Sequence, residues 1–372
     1  MRTALAAALL IMSTQESAPK VVSPEIGPDR QVTFRVLAPQ AREVVLTGEF
    51  LKGPKPFTKT ENGVWSVTVG PIDPEIYNYN FTIDGVRTID PANPDVKTGS
   101  TPSTISSVLE VRGDRPAFYD PQAVPHGEVR THWYASKSLQ TTRRLTVYTP
   151  PGYDGNPQAR FPVLYLFHGA NADETAWYRL GRANLILDNA LAAGASKPFI
   201  VVMPFGYGVP PNGPSRPGEN TARFSQDLIE DVVPYIDGRY RTIADREHRA
   251  IVGLSMGGGQ ALSIGLSHLD LFSHVGGFSS GLGQASEFPK TYARAIADAA
   301  KVNRDARLIW IGCGNEDGAF PQSKSFSEFL TAHEIRHTFK ETGGAHTWMV
   351  WRRYLKEIAP LLFKDAKGSD VQ

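Results

Sequence analysis

Two pentapeptides of the chain, GLSMG at 253–257 and GFSSG at 277–281, match G-x-S-x-G. That pattern seats a nucleophilic serine on a sharp turn between a strand and a helix. A serine hydroxyl is a poor nucleophile until a base takes its proton, and the base needs a third group to orient it. The chemistry in question is acyl transfer, and one site needs only one of the two serines.

The flanking residues decide between them. REHRAIVGL before Ser255 is an apolar run suited to a central parallel strand, and MGGGQALSIGLSH after it has helical spacing of Ala261, Leu262, Ile264 and Leu266. Gly253 and Gly257 let strand and helix approach closely, and the helix start offers free N–H groups to a developing oxyanion. FSHVGGF before Ser279 can be a strand, but the loop GLGQASEFPK follows it, and no helix begins before about Thr291. Ser279 and Ser280 are therefore expected at the same rim of the sheet, on the neighbouring strand, in capping or loop hydrogen bonds.

After Ser255 come His268, His274, His333, His337 and His346. His268 falls at a helix end and His333 in an amphipathic helix; His274 and His337 fall near strand beginnings, the wrong rim. His346 alone sits in a glycine-led loop, ETGGAHTW, after the strand RHTFKET, where loops carry function. The acid should end the intervening strand ARLIWIGCG, whose loop GNEDG offers Glu316 and Asp317; spacing alone leaves both open. The oxyanion hole needs two backbone amides. Met256 follows the nucleophile, and Ala170 follows the strand FPVLYLF and the turn His168-Gly169. His168 itself reads as a structural hydrogen-bonder.

These groups must be carried by a sheet. EVRTHWYAS and TTRRLTVYTP read as an antiparallel pair, after which apolar strands alternate with helical stretches to the end of the chain. That is an α/β fold: a mostly parallel sheet with helices on both faces. Ahead of it, residues 24–112 read as a small all-β sandwich, with short strands such as QVTFRVLAP and IYNYNFTI and a turn at Asp84-Gly85. Residues 113–126, with three prolines, read as a linker, and 127–366 as the α/β domain.

Composition narrows the partners. Net charge is +1 over 372 residues without a basic run, so nucleic acid is not the expected partner. The single cysteine, Cys313, excludes an internal disulfide and a cysteine zinc site, and reads as a small buried residue. No metal or organic cofactor is expected. Arg2 and the apolar run Ala4–Met12, too short to span a bilayer, read as a secretory signal within residues 1–18, so the chain is expected to be secreted or periplasmic; no membrane partner is expected.

YLFHGANADETAW, GRANLILDNALAAG, DREHRAIVGLSMGGGQALSIGL, IGCGNEDG and GGAHTWMVW together resemble the esterase D type of α/β-hydrolase, and within it the feruloyl esterase modules of carbohydrate esterase family 1. The resemblance runs over residues 125–366. It implies Ser255 as nucleophile, His346 as base and Asp317, the end of a C-G-x-x-D block, as acid. FRVLAPQAREVVLTGEF resembles the early-set sandwiches of carbohydrate-binding module family 48, which some feruloyl esterases carry. In that module Phe57, Trp65, Tyr77 and Tyr79 are either a sugar-stacking surface or sandwich core. The implied substrate is a feruloyl ester on plant arabinoxylan, with Trp177 and Trp348 placed to pack an aromatic acyl group or to pack as core. Acetyl xylan esterases and siderophore (enterochelin-type) esterases share the same machinery, and an acyltransferase would differ only in the acceptor.

Overall fold

The computed structural model describes residues 20–364 except 100–103 and 212, so the leader expected within residues 1–18 lies outside the described residues. The chain forms two compact units. One takes the residues up to Ile72 together with Tyr79–Pro94; the other takes Asp73–Asn78 and the residues from Asp95 on.

The first unit is all β. Strands β1 (Glu25–Ile26), β2 (Val32–Leu37), β3 (Val44–Gly48), β4 (Lys55–Pro56), β5 (Thr58–Lys59) and β6 (Val64–Val69) are followed by β7 (Glu75–Ile83), which belongs to this unit from Tyr79 on, and β8 (Val86–Thr88). They make one sheet in the order β1-β2-β6-β5 and another in which β3 joins β4 to β7. Alternation drives Val32, Phe34 and Val36 of β2 inward while their neighbours are half-buried. Phe34 meets Tyr79 and Phe81 edge-on at centroid distances of 4.9 and 6.4 Å, closing the sandwich. Asp84 and Gly85, at φ 47° and 84°, form the two-residue hairpin between β7 and β8. Phe57, Trp65 and Tyr79 are buried, as is Tyr77 in the second unit. Burial decides between the two readings of these four aromatics: they are core, and no sugar-stacking surface is made from them.

The second unit contains β9 (Val96–Lys97) and β10 (Ser106–Val111), paired antiparallel. Its main feature is an eight-stranded sheet built from β11 (Glu128–Ser136), β12 (Thr141–Thr149), β13 (Val163–Phe167), β14 (Ile200–Pro204), β15 (Arg249–Leu254), β16 (His274–Phe278), β17 (Leu308–Gly314) and β18 (Thr338–Thr342). The spatial order is β11-β12-β14-β13-β15-β16-β17-β18. β12 is antiparallel to β11 and β14, and every later pairing is parallel. All five residues of β13 are buried, because helices cover both faces. Val163, Tyr165 and Phe167 enter one core and Leu164 and Leu166 the other.

The helices are α1 (Ala176–Arg179), α2 (Ala183–Ala192), α3 (Glu219–Asp227), which runs on through a π turn into α4 (Val233–Arg239), and α5 (Met256–Ser267). Then come α6 (Phe288–Thr291), α7 (Ala293–Ala297), α8 (Ala299–Asp305), α9 (Phe320–Ala332) and α10 (Trp348–Ile358). The stretch TYARAIADAAK, whose alanine-rich spacing would suit one helix, is broken at Asp298, whose carboxylate accepts from the Lys301 amide and starts α8 as its N-cap. Residues 113–126, read as a linker, fall within the second unit and pack into it: Tyr119 is buried and Asn189 Nδ2 donates to the carbonyls of Phe118 and Asp120.

Candidate active site

Ser255 sits between β15 and α5 at φ 52° and ψ −121°, a strained conformation for a residue with a side chain. Two glycines allow the turn. A Cβ on Gly253 would stand 2.3 Å from the Gly257 carbonyl oxygen, and one on Gly257 would stand 2.4 Å from that of His168. Strand, helix and the loop after β13 therefore meet at a point where no side chain fits.

Facing Ser255 is His346, whose Nε2 lies 2.9 Å from the serine Oγ. Its Nδ1 lies 2.9 Å from each carboxylate oxygen of Asp317. The tautomer that satisfies both contacts carries the proton on Nδ1, donates it to the carboxylate and accepts from the serine hydroxyl. The loops holding acid and base are tied together, since the Asn315 amide donates to the Thr342 carbonyl and the Glu316 amide to that of Gly344. Asp317 is buried, whereas Glu316 points to solvent; this geometry separates the two carboxylates that spacing left open. Burial alone pushes the Asp317 carboxyl up. Hydrogen bonds from His346, the Ala319 amide and Ser279 outweigh it and hold the group below the usual carboxylate range.

The second pentapeptide ends the neighbouring strand, with Gly253 paired to Gly277 in register. Ser279 is fully buried at φ 47°, and its amide donates to the Gly312 carbonyl at 2.7 Å. Its Oγ accepts from Trp351 Nε1 at 3.0 Å and hydrogen-bonds Asp317. Trp351 in turn stands edge-on to the His346 ring at a centroid distance of 4.9 Å. The sequence reading missed Trp351; its signal was the spacing of His346, Trp348 and Trp351 at the start of an amphipathic helix.

For the oxyanion, Met256 is the first residue of α5, so its amide has no acceptor within the helix. Gly169 lies against the nucleophile, where a Cβ would stand 3.0 Å from Ser255 Cβ, and the exposed Ala170 comes next. His168 fixes this loop: its Nδ1 donates to the Gly169 carbonyl at 2.7 Å, and its Nε2 accepts from the Gly206 amide at 2.8 Å. Burial pushes its pKa down to about 4, which suits a permanently neutral strut and not a proton carrier.

Of the two readings of Trp177 and Trp348, acyl packing or core, burial favours the second. Trp177 is fully buried with Nε1 donating to the Phe167 carbonyl, and it packs edge-on against the buried Trp348 at 5.2 Å. Both are core. Cys313 is buried and its thiol is pushed up to about 11 by burial, so it is no nucleophile. Among the described residues no group of three or more His, Cys, Asp or Glu could hold a metal ion, and no helix is long and apolar enough to cross a membrane.

Residues 136–362 match the Esterase family model. The chain belongs to the esterase family. Residues 21–94 match carbohydrate-binding module 48, the isoamylase N-terminal domain. The esterase is 33% identical over 347 residues to an endo-1,4-beta-xylanase/feruloyl esterase of Xylanibacter ruminicola, covering 92% of this chain and 46% of that protein. The chain thus spans about half the length of that relative. It superposes on a CE1 ferulic acid esterase of Anaeromyces mucronatus, solved with ferulic acid, with TM-score 0.57 and 26% identity over 68% of this chain and 98% of the other. An enterochelin esterase of Shigella flexneri shares the fold, with TM-score 0.68 and 17% identity over 92% of this chain and 95% of the other.

Proposed function

We propose that the chain is a serine carboxylesterase that removes feruloyl groups from plant cell-wall arabinoxylan through an acyl-enzyme. The observation that carries this reading is the Asp317–His346–Ser255 relay, with both contacts of the imidazole at 2.9 Å. Likeness to the xylanase/feruloyl esterase and to the ferulic acid esterase structure supports the acyl preference.

His346 Nε2 takes the Ser255 proton as Oγ attacks the ester carbonyl, and Asp317 stabilises the imidazolium through Nδ1–H. The amides of Met256 and Ala170 receive the charge that develops on the carbonyl oxygen. His346 gives the proton to the departing sugar oxygen, which leaves as the free hydroxyl, and the acyl group stays on Ser255. Water, deprotonated by the same imidazole, then repeats the attack and releases the acid. An acyltransferase would replace that water with an alcohol. Export by the apolar leader belongs to the same proposal, and the N-terminal sequence of chain recovered from periplasm or medium tests it.

One comparison sorts the substrate classes: rates on methyl ferulate, acetylated xylan and a catecholate trilactone. The proposal expects methyl ferulate to dominate in kcat/KM; dominance of either other substrate transfers the assignment to an acetyl xylan or siderophore esterase.

A further inference from the structure

Among the exposed large hydrophobic side chains of the described residues, Trp133 is the one aromatic, at 65% exposure. It stands on β11 directly across from Arg144 of β12, whose guanidinium lies 5.3 Å from the indole centroid. Arg144 Nε is 2.9 Å from Oε1 of Glu174, a carboxylate only 1% exposed. Beyond that ion pair neither oxygen of Glu174 completes a hydrogen bond, a costly state for a buried charge unless a further donor arrives. Burial holds its pKa up accordingly. Trp133, Arg144, Glu174, Tyr207, Pro210 and Arg223 line a cavity of about 500 Å³.

This cavity opens at the rim that carries the catalytic residues. Leu145, the neighbour of Arg144, pairs with Pro204 at the end of β14, and β14 runs parallel to β13, which ends at Phe167, just before His168. The wall is shared with the oxyanion loop, because Tyr207 accepts from the Asn171 amide and Glu174 follows three residues later. From β11 to β15 there are four strand spacings, about 19 Å at about 4.8 Å each. That suits a polymer reaching both places, not a single small molecule.

We propose that the Trp133 cavity is a glycan subsite for the polysaccharide chain that carries the ester. A sugar ring lays its C–H face on the indole, its hydroxyls donate to Glu174 and accept from Arg144 and Arg223. An apolar wall with a few convergent polar groups is what sugar recognition needs, and the mixed charges favour a neutral ring over an ion. The proposal rests on the polysaccharide-ester reading above.

The test uses the full chain. With an unesterified arabinoxylan oligosaccharide and calorimetry on the Ser255→Ala background, Trp133→Ala is expected to weaken binding about tenfold, and Trp133→Phe to retain most of it. On feruloylated arabinoxylan Trp133→Ala is expected to raise KM about tenfold while kcat/KM for methyl ferulate stays unchanged. Equal oligosaccharide affinity of wild type and Trp133→Ala, or an equal fall on methyl ferulate, overturns the subsite. A wild-type chain inert toward methyl ferulate defeats the feruloyl reading instead, and the oligosaccharide comparison still decides this one.

Discussion

Acid should weaken the esterase unit through His168. In the folded chain this imidazole is neutral, because Nε2 must accept from Gly206 while Nδ1 donates to Gly169. Its pKa is about 4 there, against 6.5 for an ordinary histidine. As pH falls below 6.5 the unfolded chain binds a proton that the folded chain refuses, so stability is lost between about 6.5 and 4. At 1.36 kcal/mol per unit of pKa, the loss between pH 7 and 4.5 comes to about 2–3 kcal/mol from this residue. His168→Gln removes the titration. The assay is urea unfolding followed by tryptophan fluorescence, to which five of the six tryptophans report from the second unit, all but Trp65. The stability lead of wild type over His168→Gln should shrink by about 2–3 kcal/mol on acidification. A lead constant from pH 7 to 4.5 would refute the neutral strut.

Asp317→Asn should lower kcat on small aryl esters by about 10³–10⁴-fold, since the amide favours the wrong imidazole tautomer; steady-state kinetics at pH 7 check this. Because the Asp317 pKa is depressed by folding, its stabilising contribution is present above the ordinary carboxylate range and lost as pH falls through the folded value. The wild-type lead over Asp317→Asn should accordingly narrow in acid melts. Ser279→Ala should keep roughly a tenth of kcat, the loss expected from one hydrogen bond to a charged group; complete inactivation would make it the nucleophile. Glu75→Ala should cost about 3–5 kcal/mol, read in the melting temperature, because it strands the fully buried Arg352, whose guanidinium lies 2.6 Å from the carboxylate.

Much of this was legible because parallel-sheet chemistry is local. Ser255, Met256, Ala170 and His346 were each named from a strand, the residue ending it and what followed, and the rim holds all four. Glu316 and Asp317 could not be separated that way: which of two adjacent carboxylates turns inward depends on a loop stitched to Thr342 and Gly344, far along the chain. Trp177 and Trp348 were left open between acyl packing and core for a similar reason. Adjacency to the site in sequence says nothing about which face a ring presents, and both rings pack against each other instead. The break at Asp298 was hidden because an aspartate inside an alanine-rich stretch caps as readily as it continues a helix. Ser279 was expected at this rim in loop hydrogen bonds, but its partner Trp351 escaped because their contact joins α10 to the end of β16.

The most direct measurement is rapid quenching of the esterase with methyl ferulate, followed by mass spectrometry of its peptides. A feruloyl adduct on the peptide bearing Ser255, absent from Ser255→Ala, is the predicted result. An adduct on the peptide bearing Ser279, or turnover by Ser255→Ala at the wild-type rate, would contradict the account.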